Sequence, residues 1–147
     1  MKNLISINTA IFSIKPKFVS LIFAGEKTVE LRRKLPRRIR EGSKIFIWET
    51  SPKKRLSGCV RVQKLLEVPI DQLWELISDF AGINEDEFYN YFDGLSSGIA
   101  VFLSDAEEFQ VKPELNYLRD KLGFNPPQSF RYVSPDELEY LEASNLF

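Results

Sequence analysis

The spacing of apolar residues changes several times along the 147-residue chain, and each change marks an element. Thr9 to Ile14 alternates loosely and predicts a strand. Lys15-Pro16 then opens a helix, because proline fits the first helical turn. Phe18, Leu21 and Ile22 fall at helical spacing as its buried stripe, and Gly25 suits its end, where a left-handed residue is often needed. From Thr28 the period drops to two. Val29 and Leu31 point one way while Thr28, Glu30 and Arg32 point the other, which sets a hydroxyl, a carboxylate and a guanidinium in one row on a strand face. Arg33 to Arg40 reads as a basic loop that Pro36 keeps irregular, and Glu41-Gly42 reads as a turn.

Two further strands are predicted, Lys44 to Thr50 and Leu56 to Val68, joined by Ser51-Pro52-Lys53-Lys54-Arg55. Gly58 inside the second marks a bulge or a close backbone approach. After Pro69 the pattern turns helical, with Ile70, Leu73, Trp74 and Ile77 as one stripe. A short helix from about Asn84 to Phe92 carries the capping-box spacing in Asn84 and Glu87. Trp74, Phe88, Tyr91 and Phe92 sit at helical spacing and read as core. Gly98 to Leu103 and Glu108 to Val111 are strand-like, Pro113 to Leu122 is a helix closed by Gly123, and Ser134-Pro135 starts a last helix. Short strands with helices inserted between them, in a chain of this length, predict a single α+β domain over residues 1–147. A small mixed barrel or open sheet fits that pattern; a βαβ array does not.

Composition narrows the chemistry. A hydrophobic fraction of 44% and a charged fraction of 28% are ordinary for a globular domain. The chain has no histidine, which excludes His-based triads and His metal ligands. The single cysteine, Cys59, excludes an intrachain disulfide and a Cys-rich zinc site, and reads most simply as a small apolar strand residue. The acidic run Asn84-Glu85-Asp86-Glu87 lacks metal-ligand spacing, so neither a metal nor a cofactor is expected. No apolar run nears the ~20 residues of a membrane helix, and polar residues such as Ser6, Asn8 and Ser13 interrupt the amino-terminal stretch. A soluble, cytoplasmic protein without a membrane partner is therefore expected.

The net charge of −1 conceals a split: residues 1–64 carry +12 and residues 65–147 carry −13. If the halves lie apart, the first favours an anionic partner, nucleic acid foremost. If the fold interleaves them, the charges neutralise one another as solvated surface. An acidic second half also leaves open a protein-interaction domain whose partner the sequence does not name.

The densest chemistry runs from Gly25 to Arg33. Arg32 or Lys27 can hold an anionic or carbonyl oxygen while Glu30 meets a base edge. Alternatively Glu30 acts as general base, with Lys27 stabilising a developing oxyanion. The plain alternative is a Glu–Arg pair on an exposed strand. Ser13 and Lys15 flank the first strand-to-helix turn and either face the same cleft or are a turn serine and a solvated lysine. Alternation in Lys44 to Thr50 puts Ile45 and Ile47 on one face and Phe46, Trp48 and Thr50 on the other. With the isoleucines as core, Trp48 becomes either a base-stacking platform or barrel packing. Arg33, Lys34, Arg37, Arg38 and Arg40, together with Lys53, Lys54 and Arg55, cluster as phosphate contacts would, or else form solvated loops.

The segment SIKPKFVSLIFAGEKTVELRR, the basic Pro-containing turn after it, EGSKIFIWETSP and LSGCVRV together resemble the ASCH domain of the PUA-like superfamily. A G-x-K-x-x-E-x-R signature falls on Gly25, Lys27, Glu30 and Arg32, and GIAVFL and PPQSFRY are similar to the longer bacterial and phage members. The resemblance covers about residues 10–66 closely. It implies a PUA-like small mixed β-barrel with surrounding helices and a cleft lined by the signature residues, with Gln128, Ser129 and Arg131 at its edge. It also implies RNA or modified-nucleotide or nucleoside binding as the leading role, through Ser13, Lys15, Lys27, Thr28, Glu30, Arg32 and Trp48. Some members are hydrolases, either amidohydrolases of N4-acetylcytidine or single-strand ribonucleases, and that metal-independent alternative would make Lys27 and Glu30 catalytic. The amidohydrolase pattern places a nucleophilic Thr three residues after its Lys. Here that position is Glu30, and Thr28 lies one residue after Lys27, a departure that a carboxylate cannot repair by the same acyl-enzyme route.

Overall fold

The computed structural model describes residues 8–147, so the first seven residues of the stretch weighed above as a leader lie outside it. Among the described residues six strands and five helices follow in the order β1 (Ala10–Ile14), α1 (Pro16–Phe23), β2 (Val29–Arg32), β3 (Lys44–Glu49), β4 (Arg55–Pro69), α2 (Ile70–Ile77), α3 (Glu85–Tyr91), β5 (Ser97–Glu108), α4 (Leu115–Leu122), β6 (Phe130–Tyr132) and α5 (Pro135–Ala143). The strands form one mixed sheet in the order β2-β5-β4-β3-β1-β6, in which β1 and β3 are parallel and all other neighbours antiparallel. The sheet curls into a half-barrel with helices around it, the α+β arrangement expected from the sequence.

Local chemistry explains most boundaries. Pro16 occupies the first turn of α1, and Gly25 takes a φ of 77° just past its end. That left-handed step lets the Glu26 and Lys27 amides both donate to the Leu21 carbonyl, which turns the chain sharply into β2. Asn84 and Glu87 form the expected capping box at the start of α3. β4 bulges at Ser57, since Ile47 pairs with Gly58 and Trp48 with Leu56. A side chain at Gly58 would run into the Phe23 ring and the Glu107 carbonyl, so both readings of that glycine apply.

Two expectations change. β5 is one long strand to Glu108, and Phe109 to Val111 is not a strand of its own. The amide of Phe109 donates to the Ser57 carbonyl, while those of Gln110 and Val111 donate to Leu146, so the carboxyl-terminal tail supplies the partner a sheet neighbour would have supplied. β3, in turn, has no polar face: Ile45, Phe46, Ile47, Trp48 and Glu49 are all buried. Phe46 and Trp48 belong to a cluster with Leu118, Phe124 and Leu138, whereas Ile45 and Ile47 belong to a cluster with β1 and α1. A third cluster joins Val29 and Leu31 of β2 to Leu73, Ile77, Phe88 and Phe92 of α2 and α3. The apolar side of β2 therefore anchors the helices, and its polar side is left for the site.

Candidate functional site

β2 ends the sheet on one side and β6 on the other, yet Arg32 spans the gap between them. Its guanidinium donates through Nη1 to the Ser129 carbonyl and hydroxyl at 3.2 and 3.0 Å, just before β6, and through Nη2 to the Ser13 carbonyl of β1 at 3.2 Å. Nη2 also meets Glu30 Oε2 at 2.9 Å, and the guanidinium carbon lies 4.3 Å from the centre of the Phe12 ring. Arg32 thus clasps the open seam of the half-barrel. Its Nε is buried without a hydrogen-bond partner.

Lys27 is equally enclosed. Its Nζ donates to the carbonyls of Ala81 and Val29 at 2.6 and 2.8 Å and faces Glu30 Oε1 at 3.5 Å. Burial pulls the Lys27 ammonium below the ordinary lysine range, and the neighbouring Glu30 carboxylate only partly opposes that pull. The terminal donors of Arg32 and two of the three of Lys27 are already engaged by the protein, which leaves Lys27 one donor on the side of Glu30. What the row still offers is acceptor capacity on Glu30, flanked by two positive charges.

The row floors a cavity of about 590 Å³. Ser13, Lys15, Lys27, Glu30 and Arg32 line it as the sequence predicted, and so do Gln128 and Ser129. Its other wall comes from residues the sequence left in the core or passed over: Phe18 of α1, Ile83, and Glu87, Asn90 and Tyr91 of α3. Tyr91 donates its hydroxyl to the Leu31 carbonyl at 3.1 Å, and burial raises its phenol, which keeps it a donor. A signal for this wall existed, because Glu87, Asn90 and Tyr91 stand at i, i+3 and i+4 on one helical face.

Four residues expected at the site or its edge do not line the cavity. Trp48 is 3% exposed, with its ring centre 5.2 Å from that of Phe124, so it packs the core and offers no face for stacking. The physical reason is the position of β3, which is covered on both faces. Thr28 precedes β2 and is exposed outside the cavity, its amide and carbonyl tied to Phe80 and Leu103. The amidohydrolase route therefore lacks a threonine at the floor. Arg55 donates through Nε to the buried carboxylate of Glu49 at 2.9 Å, which also accepts from the Ser57 hydroxyl at 2.7 Å, so it is a structural partner rather than a loose phosphate contact. Arg131, expected at the cleft edge, is held by Glu137 instead.

The remaining basic residues are exposed. Arg33 donates to the carbonyls of Tyr91 and Asp93, and Arg38 lies 3.6 Å from the centre of the Tyr132 ring. Lys34, Arg37, Lys53 and Lys54 are open to solvent. The turn carrying Lys53 and Lys54 follows Thr50, whose amide donates to the carbonyl of Ile14 in the cavity lining. The basic and acidic halves of the sequence meet at α3, where Lys17 bridges to Glu87 at 3.0 Å and Arg33 donates to the carbonyls at the end of the helix. Among the described residues no group of three or more His, Cys, Asp and Glu side chains is placed to hold a metal ion, and no helix is long and apolar enough to cross a membrane.

A curled mixed half-barrel with a cavity at its seam defines a compact α+β domain. Residues 12–113 match the ASCH domain family, and the chain belongs to it. Over 134 residues the chain is 29% identical to an ASCH domain-containing ribonuclease of Zymomonas mobilis, a match covering 90% of this chain and 88% of that protein. The crystal structure of ASCH from Zymomonas mobilis superposes with a TM-score of 0.86 at 28% identity, covering 93% of this chain and 95% of that one. The N-terminal domain of Staphylothermus marinus McrB, 12% identical with a TM-score of 0.58 over 92% and 93% of the two chains, shares the fold alone.

Proposed function

We propose that the protein binds RNA and seats one unpaired nucleobase in the seam cavity. The observation that carries this reading is the Lys27–Glu30–Arg32 floor. Its cations are engaged by carbonyls, and its carboxylate keeps room for one more donor, such as a base amino or imino N–H. Phosphates then belong outside the cavity, on the exposed amines of Lys15, Lys34, Lys53 and Lys54 and on Arg37.

Fluorescence anisotropy of a labelled single-stranded RNA, titrated across a salt series, tests the reading. Binding should weaken as salt rises, because exposed cations release counterions from the strand. Glu30→Gln should weaken it about tenfold, the scale of one charge-assisted hydrogen bond. Salt-insensitive binding, or affinity unchanged in Glu30→Gln, would overturn it.

A second reading is cleavage of that RNA, favoured by the ribonuclease that the chain resembles over nine-tenths of its length. Glu30 would take the proton of a ribose 2′-hydroxyl as its oxygen attacks the adjacent phosphorus. The P–O5′ bond would break, and Lys27, whose proton burial loosens, would protonate the leaving oxygen. Gel analysis of the same titrations decides it: shortened RNA with wild type and intact RNA with Glu30→Gln supports cleavage, and intact RNA throughout leaves binding alone.

A further inference from the structure

We propose that α3 is the element that recognises the base, with the ring of Tyr91 as the stacking face and the carboxamide of Asn90 reading the base edge. The proposal rests on the RNA reading above and names what that reading lacks, a surface that distinguishes a base from any other N–H donor.

Tyr91 exposes 39% of its surface although it lines the cavity beside the buried row. It is nonetheless tightly placed. Its hydroxyl donates to Leu31, its carbonyl accepts from Arg33 at 2.7 Å, and its ring stands at 75° to that of Phe92 with centres 4.8 Å apart. The short helix beneath it is over-anchored for its length. Phe88 and Phe92 are fully buried, the Asn84–Glu87 capping box closes its start, and Lys17 ties Glu87 to α1. A half-exposed aromatic ring held from three sides loses little freedom when a planar ligand lies on it, which is the property of a stacking platform.

The other aromatic candidates are occupied. Trp48 is in the core, and the Phe18 ring has the ammonium groups of Lys17 and Lys27 at 4.7 and 5.1 Å from its centre. Asn90, next to Tyr91 on the same wall, has no side-chain hydrogen bond among the described residues, nor has Gln128 on the opposite rim. A free carboxamide presents a donor beside an acceptor, the pattern that pairs two-pronged with the edge of a base. Stacking tolerates every base, so Tyr91 governs affinity and Asn90 governs preference.

The test compares labelled oligouridine, oligoadenosine and oligocytidine of one length, and the same oligouridine with abasic residues, on the intact protein and its variants. Thermal unfolding of each variant serves as the folding control. Wild type should bind the abasic strand about tenfold or more weakly than its parent, a measurement that needs no variant. Tyr91→Ala should lose about that factor on all three homopolymers, and Tyr91→Phe, which keeps the ring but frees it from Leu31, should lose less. Asn90→Ala should change the order of preference among the three. Tyr91→Ala within about twofold of wild type would overturn the assignment to α3 while the cavity reading survives if Glu30→Gln still weakens binding; equal binding of abasic and intact strands would overturn both. If wild type binds none of the strands, both readings fall.

Discussion

Glu30 and Glu137 each lie buried beside an arginine, and they differ in what is left over. Glu137 of α5 is filled. Arg131 donates to its two oxygens at 2.8 and 2.7 Å, and the Ser134 amide adds a third bond at 2.9 Å. Glu30 of β2 has one close partner, Arg32 at 2.9 Å, with Lys27 at 3.5 Å, and it faces a cavity. The two carboxylates are buried alike; their saturation differs. A saturated cluster fixes the fold, whereas one with unused acceptor capacity in reach of solvent can take a ligand.

The largest effect should come from Arg32→Ala. It leaves Glu30 with Lys27 alone and removes the bonds that join β2 to β1 and to Ser129 across the seam. Removing one member of a buried pair costs about 3–5 kcal/mol, measurable by chemical denaturation. A loss below about 1 kcal/mol would mean that packing alone holds the seam, and the two clusters would then be ordinary ion pairs of equal rank.

Glu137→Gln should cost less, about 1–3 kcal/mol at neutral pH, because it weakens hydrogen bonds without opening a seam. The pH dependence has a definite sign. Burial alone would raise the Glu137 carboxyl, but the bonds from Arg131 and from the Ser134 amide outweigh it and hold the group below 4.5. A depressed folded value means that the contribution is complete above about pH 4.5 and fades as pH falls through that lower value. The stability gap between wild type and Glu137→Gln should therefore close in acid. A gap that persists unchanged through the acid range would show that the carboxylate charge is not what the cluster uses. RNA affinity should not change in this variant.

What the sequence disclosed about these clusters follows from how local each one is. The capping box of α3, the Ser134-Pro135 start of α5, the turn at Gly25 and the alternation that puts Glu30 and Arg32 on one face depend on residues within a few positions, and all were legible. Trp48 was not, because alternation assigns two faces to β3 but cannot say that α4 and α5 cover the second. The Tyr91 wall was hidden for the same reason: α3 arrives some sixty positions after β2, and helical spacing alone does not tell which neighbour its polar face meets. The charge split is plain along the chain, but only the fold shows that its two halves meet at α3, through Lys17 and Arg33.

The smallest effect concerns Lys27 and separates the clusters most directly. Burial holds its ammonium below 10.5, while Glu30 raises it and Arg32 lowers it further. The folded state therefore binds fewer protons than the unfolded chain between that lowered value and 10.5, and stability rises with pH across the window. In Glu30→Gln the opposing carboxylate is gone, burial and Arg32 act on Lys27 together, and the window widens downward. The variant should thus be less stable than wild type at neutral pH and should recover part of the difference as pH rises, read as converging denaturation curves on the alkaline side. Glu137→Gln should show no such convergence, since no lysine faces that carboxylate in its hydrogen-bond network. Parallel curves for Glu30→Gln would mean that Lys27 senses only its carbonyls, and the row would then be three separate side chains, not a coupled floor.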